Sequence, residues 1–166
     1  MTRTSLSRHN CSLARASDIL GDKWVLLILR DAFYGQRSFA AFKKRLGVTQ
    51  SVLSQRLALL CEHELLRREQ ASQDVQRYDY RLTDKGQAMF PVLVALTQWG
   101  DEWMSGPDCE PVLIVEKANG RPVAKIQVQN RLGESLTIRD VTFTPGPGAD
   151  EETLAQFAMA RRKSGT

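Results

Sequence analysis

The residues best equipped for chemistry lie between Val48 and Leu60, where Gln50, Ser51, Ser54 and Gln55 supply hydrogen-bond donors and acceptors without charge. At 3.6 residues per turn, Leu53, Leu57 and Leu60 stack on one side of a helix, while Ser51, Ser54, Gln55 and Ala58 turn away from it. Such a face suits a DNA major groove, because Gln pairs bidentately with adenine and Ser with several base edges, and nothing on it repels phosphate. A solvated surface helix more often shows Glu and Lys there. The chemistry expected is therefore recognition by hydrogen bonding, with Gln50, Ser51, Ser54 and Gln55 facing base edges.

Several elements must hold that helix in place. Thr49 is suited to cap its N-terminus, and Ser38 to cap a preceding helix, Phe39 to Leu46, whose Phe39, Phe42 and Leu46 share a face. Gly47 between them allows the positive φ of a tight turn, which makes the pair a helix-turn-helix. No acidic residue occurs between Asp31 and Glu62, whereas Arg37, Lys43, Lys44, Arg45 and Arg56 do. Basic residues on a helix are usually a solvated face. Beside an uncharged polar helix and a Gly turn, they are expected to contact phosphates, Arg56 being the least secure because it borders the buried side and could brace the preceding helix. Downstream, Leu65 to Ala71 and the alternating Tyr78 to Leu82 read as two strands joined by a polar loop, Ser72 to Arg77. A hairpin directly after a recognition helix is a wing, and its Gln73, Gln76 and Arg77 are placed to reach a phosphate backbone or a minor groove.

Length and composition bound the remaining possibilities. With 166 residues, 42% of them hydrophobic, the chain holds one ordinary domain and an appendage. A formal charge of +4 and a pI near 9.1 permit a nucleic-acid partner, but it is the local clustering that argues for one. No apolar run is long enough to span a bilayer and the first ten residues lack the apolar core of a signal peptide, so a cytoplasmic protein without a membrane partner is expected. Cys11, Cys61 and Cys109 are too scattered for a disulfide framework or a zinc site, and no cofactor or metal is expected.

Residues 1–10 read as a flexible polar arm and residues 11–105 as the winged helix domain. A short helix through Leu13, Ile19 and Leu20 stops at Gly21. Asp22 then caps Lys23 to Tyr34, apolar all round between Trp24 and Leu29, as a central core helix is. Thr83-Asp84 opens a long helix to about Met104, kinked at Pro91, with Met89, Leu93, Leu96, Trp99 and Trp103 on one stripe. That stripe exceeds what a small domain needs, and two-fold dimers match two DNA half-sites. It is expected to meet Leu13, Ile19 and Leu20 of a second copy.

The segments Cys11 with Leu13 to Ala16, Gly21 to Trp24 running into Leu26 to Asp31, Arg37-Ser38-Phe39, Leu53 to Leu57, Tyr78 to Gly86 and Trp99-Gly100 occur in order. Together they resemble the HxlR-type transcriptional regulators, a winged-helix family related to the MarR type, over a little more than half of the chain. The fold implied is mainly α (α+β), a winged helix-turn-helix with a small C-terminal β extension. The resemblance implies a homodimer whose first and last winged-domain helices form the interface and whose recognition helices read a palindromic operator. Ser17 to Leu20 departs from the more apolar segment expected there. Residues 106–150 read as an antiparallel β extension in which Val115 to Val128 resembles Val128 to Val141, with Gly120 matching Gly133, and residues 151–166 as a short helix and basic tail. In some relatives the extension resembles a zinc ribbon; here Asn119, Asn130 and Leu132 stand near the cysteine places, so no metal carries over.

Three functions are compatible with these residues: a dimeric DNA-binding regulator, expected to be a repressor; a winged-helix interaction module without DNA binding; and an enzyme using Cys11 with His9 or Cys61 with His63. The last is disfavoured, since Cys61 continues the core side of its helix and His9 lies in the arm. Cys11 begins the first helix, where the helix dipole, Arg8 and Arg15 favour a thiolate. HxlR-type relatives include regulators that respond to oxidants, quinones and aldehydes through a cysteine in this region, which implies a redox or electrophile sensor at Cys11. Packing as a small hydrophobe is the simpler alternative, and a small-molecule effector the other route to a signal.

Overall fold

A computed structural model describes residues 6–71, 77–106 and 108–164, with side chains up to Met159. The element order is α1 (Ser12–Leu20), α2 (Lys23–Phe33), α3 (Phe39–Leu46), α4 (Gln50–Glu62), β1 (Leu66–Gln70), β2 (Tyr78–Leu82), α5 (Asp84–Gln87) and α6 (Phe90–Gly100). There follow a π-helical turn (Asp101–Ser105), β3 (Val128–Gln129), β4 (Ser135–Leu136) and α7 (Glu151–Ser164). The backbone groups into two units: Ile19–Ile126, and the described residues up to Asp18 together with those from Gln127 onward.

In the first unit every helix start foreseen from the sequence has its cap. The Asp22 carboxylate accepts from the Trp24 N–H at 2.8 Å, Ser38 Oγ from Ala41 N at 3.2 Å, Thr49 Oγ1 from Val52 N at 3.4 Å and Thr83 Oγ1 from Gly86 N at 3.0 Å. Each bond satisfies a backbone donor that the first helical turn leaves without a partner. Gly47 ends α3 in the left-handed region at φ 64°. The core joins Val25, Ile28 and Leu29 of α2 to Phe42 of α3, Leu53, Leu57 and Leu60 of α4, and Leu65 and Leu66 at the start of β1. Strands β1 and β2 pair antiparallel from Leu66↔Leu82 to Gln70↔Tyr78. The bridge Ser38↔Asp79, with Tyr80 N donating to Arg37 O at 2.8 Å, ties the start of α3 to the other edge of β2. This is a winged helix-turn-helix, and among the described residues no helix is long and apolar enough to cross a membrane.

The long kinked helix expected after Thr83 is corrected. The chain makes two helices, α5 and α6, and Pro91 sits in the first turn of the second. Proline cannot donate to the carbonyl one turn back, whereas in a first turn that donor has no helical partner anyway. At the far end the helix passes into the π-helical turn. The extension forms less sheet than its repeat suggested: one bridge, Val115↔Pro122, and two-residue strands β3 and β4. Its turn glycines do take positive φ, 71° at Gly120 and 83° at Gly133. Asparagine side chains close both turns: Asn119 Oδ1 accepts from Arg121 N at 2.8 Å, and Asn130 Oδ1 from Leu132 N and Glu134 N at 2.9 and 3.0 Å.

One close approach locks wing to helix. A Cβ on Gly86 would stand 2.0 Å from the carbonyl oxygen of Leu65, the group that also accepts from Thr83 N. Withdrawal would strain the Thr83 N–Leu65 O bond that lies next to the Leu66↔Leu82 pair. Gly86→Ala is expected to destabilise the protein by about 3 kcal/mol, the upper part of the usual range for overpacking, seen as a lowered denaturant midpoint with unchanged slope.

Candidate nucleic-acid interface

Helix α4 presents Gln50, Ser51, Ser54, Gln55 and Ala58 to solvent, opposite the buried Leu53, Leu57 and Leu60. This outward face carries no carboxylate. Gln55 Oε1 accepts from Arg56 Nη1 at 3.2 Å, which orients its amide. Lys43 and Lys44 are exposed in the last turn of α3, Arg37 is exposed just before that helix, and Arg77 is exposed where β2 leaves the wing loop. Gln73 and Gln76 lie outside the described residues.

Two of the cations expected at phosphates are engaged within the fold. Arg56 Nε and Nη2 donate to Asp22 Oδ2 at 3.0 and 2.8 Å, so the recognition helix is tied to the cap of α2. Partial burial alone would raise the Asp22 carboxyl. The hydrogen bonds from Arg56 and the Trp24 N–H, with the Arg56 charge, outweigh it and hold the carboxyl below its ordinary value. Arg45 Nε stands 3.3 Å from Oδ2 of Asp31, whose Oδ1 accepts from Arg30 Nε at 3.0 Å and Nη2 at 2.9 Å. Asp31 is 0% exposed, and its Oδ2 otherwise lacks a hydrogen bond. A buried carboxylate needs such cations, so Arg45 and Arg56 serve first to seat the helix-turn-helix on α2.

Arg68 of β1 was not singled out from the sequence. Its guanidinium lies 3.5 Å from the centre of the Tyr78 ring, and among the described residues no carboxylate pairs with it. It lines a cavity of about 590 Å³ between the recognition helix and the wing, where Gln50, Ser54 and Cys61 face Tyr80 and Phe39. Arg68 thus stands between the helix and the wing. Burial pushes the Cys61 thiol and the Tyr80 phenol up, and the Arg68 charge opposes both shifts, so its field reaches across the cavity. The sequence signal was only the Arg67-Arg68 pair, and Arg67 is held by Glu69.

The apolar stripe divides as well. Ile19, Leu20, Met89 and Leu93 are partly buried against their own core. Leu13, Leu96, Trp99 and Trp103 remain 75, 48, 54 and 69% exposed. Cys11 is exposed at the start of α1, its Sγ accepting from Ala14 N at 3.5 Å.

A winged helix-turn-helix with an uncharged reading face and flanking cations defines a transcriptional regulator of the helix-turn-helix type. The chain belongs to the HxlR-like helix-turn-helix family, which it matches over residues 19–108. It is 39% identical over 137 residues to an uncharacterised HTH-type transcriptional regulator of Mycobacterium tuberculosis, covering 82% of this chain and 87% of the relative. The solved structure of the candidate transcription factor PA1607 is similar, with a TM-score of 0.81 and 40% identity over 86% of this chain and all of that one. The redox regulator HypR in its oxidised form, 25% identical, matches 55% of this chain and 95% of its own with a TM-score of 0.51.

The Asp22–Arg56 pair yields a pH-dependent test. Because the Asp22 carboxyl is held low in the folded protein, its contribution is present above the unfolded carboxylate value near 4 and is lost as pH falls through the folded value. Asp22→Asn is expected to cost about 1–2 kcal/mol at pH 7. The difference from wild type should shrink towards zero in acid, as followed by urea unfolding at stepped pH.

Proposed function

We propose that the chain acts as a homodimeric repressor that reads a palindromic operator through α4. The observation that carries this reading is the exposed, carboxylate-free face of Gln50, Ser51, Ser54 and Gln55, flanked by Lys43 and Lys44 and by the wing. These four residues face base edges. Arg37, Lys43, Lys44 and Arg77 contact phosphates, joined by Arg68, while Arg45 and Arg56 hold the reading helix in place. The exposed Leu96, Trp99 and Trp103 supply an apolar surface for a second copy, which aligns with the two-fold symmetry of such operators.

A second proposal concerns the signal. The exposed Cys11 thiol, at a helix N-terminus and accepting an N–H bond, is open to electrophiles. A quinone adds to the sulfur with formation of one C–S bond, and the thiol proton ends on a ring oxygen. No second cysteine is required, and the likeness to the redox regulator HypR supports the idea. A modified Cys11 at a subunit contact would alter the spacing of the reading helices.

Gln55→Ala is expected to change base preference at one operator position. Lys44→Ala and Arg68→Ala should each weaken binding to all sequences and lower the slope of log K against log salt by about one unit. Fluorescence anisotropy with an operator and its single-base variants checks both, and an unchanged preference in Gln55→Ala would refute the helix orientation. For the signal, wild type and Cys11→Ser are compared before and after benzoquinone; equal loss of DNA affinity in both excludes Cys11.

A further inference from the structure

Helix α6 and its π-helical turn form one wall of a second cavity, of about 440 Å³, whose other wall is the segment from Glu110 to Lys125. The two walls are pinned together. The Gln98 side chain donates from Nε2 to Ala124 O at 3.0 Å and accepts from Ile126 N at 2.8 Å, as a neighbouring strand would, and Lys125 pairs with Glu102. The cavity therefore exists before anything binds, and its size lies within the range of small-molecule sites. Widened π turns recur at functional sites, and this one lines the cavity.

The lining defines the occupant. Val112, Leu113, Ile114, Pro122 and Val123 give apolar surface, with Leu113 61% exposed, which favours hydrocarbon. The charged lining is unbalanced: it carries Asp101, Glu102 and Glu110 against a single cation, Lys125, which Glu102 already neutralises. Among the described residues no cation pairs with Asp101 or Glu110. The lining thus has a net negative charge, which favours a positive head group. A bare metal ion does not suit it, since among the described residues no three metal-ligating side chains converge.

We infer that this cavity binds an apolar monocation, an amine or quaternary ammonium with a hydrocarbon body, its cation at Asp101 and Glu110 and its hydrocarbon on Leu113 and Val123. The site is independent of the reading of α4 and of Cys11. Its position on α6, which carries the exposed Trp99 and Trp103, puts an effector beside the surface offered to a second copy.

Benzyltriethylammonium is the probe, titrated into the full chain by calorimetry at low salt, with 4-phenylbutyrate as the apolar anion. Saturable one-to-one binding of the cation is expected, with none of the anion. The double substitution Asp101→Asn, Glu110→Gln should weaken it about fivefold or more, and Leu113→Arg, which adds a positive charge to the apolar lining, should abolish it. Thermal unfolding verifies that each variant folds, and Glu110→Gln alone, at an exposed position of the cavity lining, replaces the double variant if that one does not. No saturable binding at millimolar cation, equal binding of the anion, or indifference to the carboxylate substitutions would each overturn the assignment. None of these results bears on operator recognition, which is measured separately.

Discussion

A carboxylate with no exposed surface needs polar partners in place of the water it has lost, and Asp31 is such a group. Its partners, Arg30 from its own helix and Arg45 from the end of α3, make the core helix the anchor of the helix-turn-helix. Asp22, at the other end of α2, holds Arg56 of the recognition helix. The two tethers are separated by about 13 Å along the axis of α2, at a rise of 1.5 Å per residue. One tether on α3 and one on α4, together with the apolar packing between them, hold the helix-turn-helix pair against α2. Burial raises what is at stake at Asp31, because loss of one partner leaves a charge that water cannot reach.

This arrangement sorts the cations of the winged unit by what they face. Arg30 and Arg45 meet Asp31 of α2 and Arg56 its cap Asp22, while Glu69 takes Arg67 from its own strand and Arg81 from across the wing. Lys43, Lys44, Arg37, Arg68 and Arg77 form none of these pairs and are exposed, and Arg68 shares a cavity with Gln50 and Ser54 of α4. The fold thus turns a sequence rich in basic residues into a smaller set pointing outward. Arg68 stacked on Tyr78 is the clearest member, since the ring restrains the guanidinium while leaving its N–H edges open.

Helix α6 has a different role. Its inner side, with Val94 buried and Leu93 partly so, meets the core, and its outer side keeps Leu96 and Trp99 in solvent. Gln98 uses its amide to extend the backbone hydrogen bonding of the segment at Ala124 and Ile126. One helix thereby serves three surfaces: the core, an apolar outer face and the wall of a cavity. The extension depends on side-chain amides for its turns, Asn119 and Asn130 each accepting backbone N–H groups that the tight turn leaves unpaired.

Local patterns in the sequence determined the helix-turn-helix, its caps and its buried side, because capping, the left-handed turn at Gly47 and the spacing of Leu53, Leu57 and Leu60 are set within one or two turns of chain. The wing strands were legible for the same reason, from alternation at Tyr78 to Leu82. The break between α5 and α6 was harder to see, since a proline both kinks a helix and starts one, and the side chosen depends on what Leu65 O and Thr83 offer nearby. What only the tertiary structure decided is which charges are internal. Arg45 and Lys44 are neighbours of similar charge, yet one points to a buried aspartate from another helix and the other to solvent. The apolar stripe divides on the same grounds: Met89 and Leu93 pack against the core, Leu96 and Trp99 stay about half exposed, and periodicity cannot separate a residue that faces its own core from one that faces outward. Ion pairs and packing join residues far apart in sequence, and no spacing along the chain encodes them.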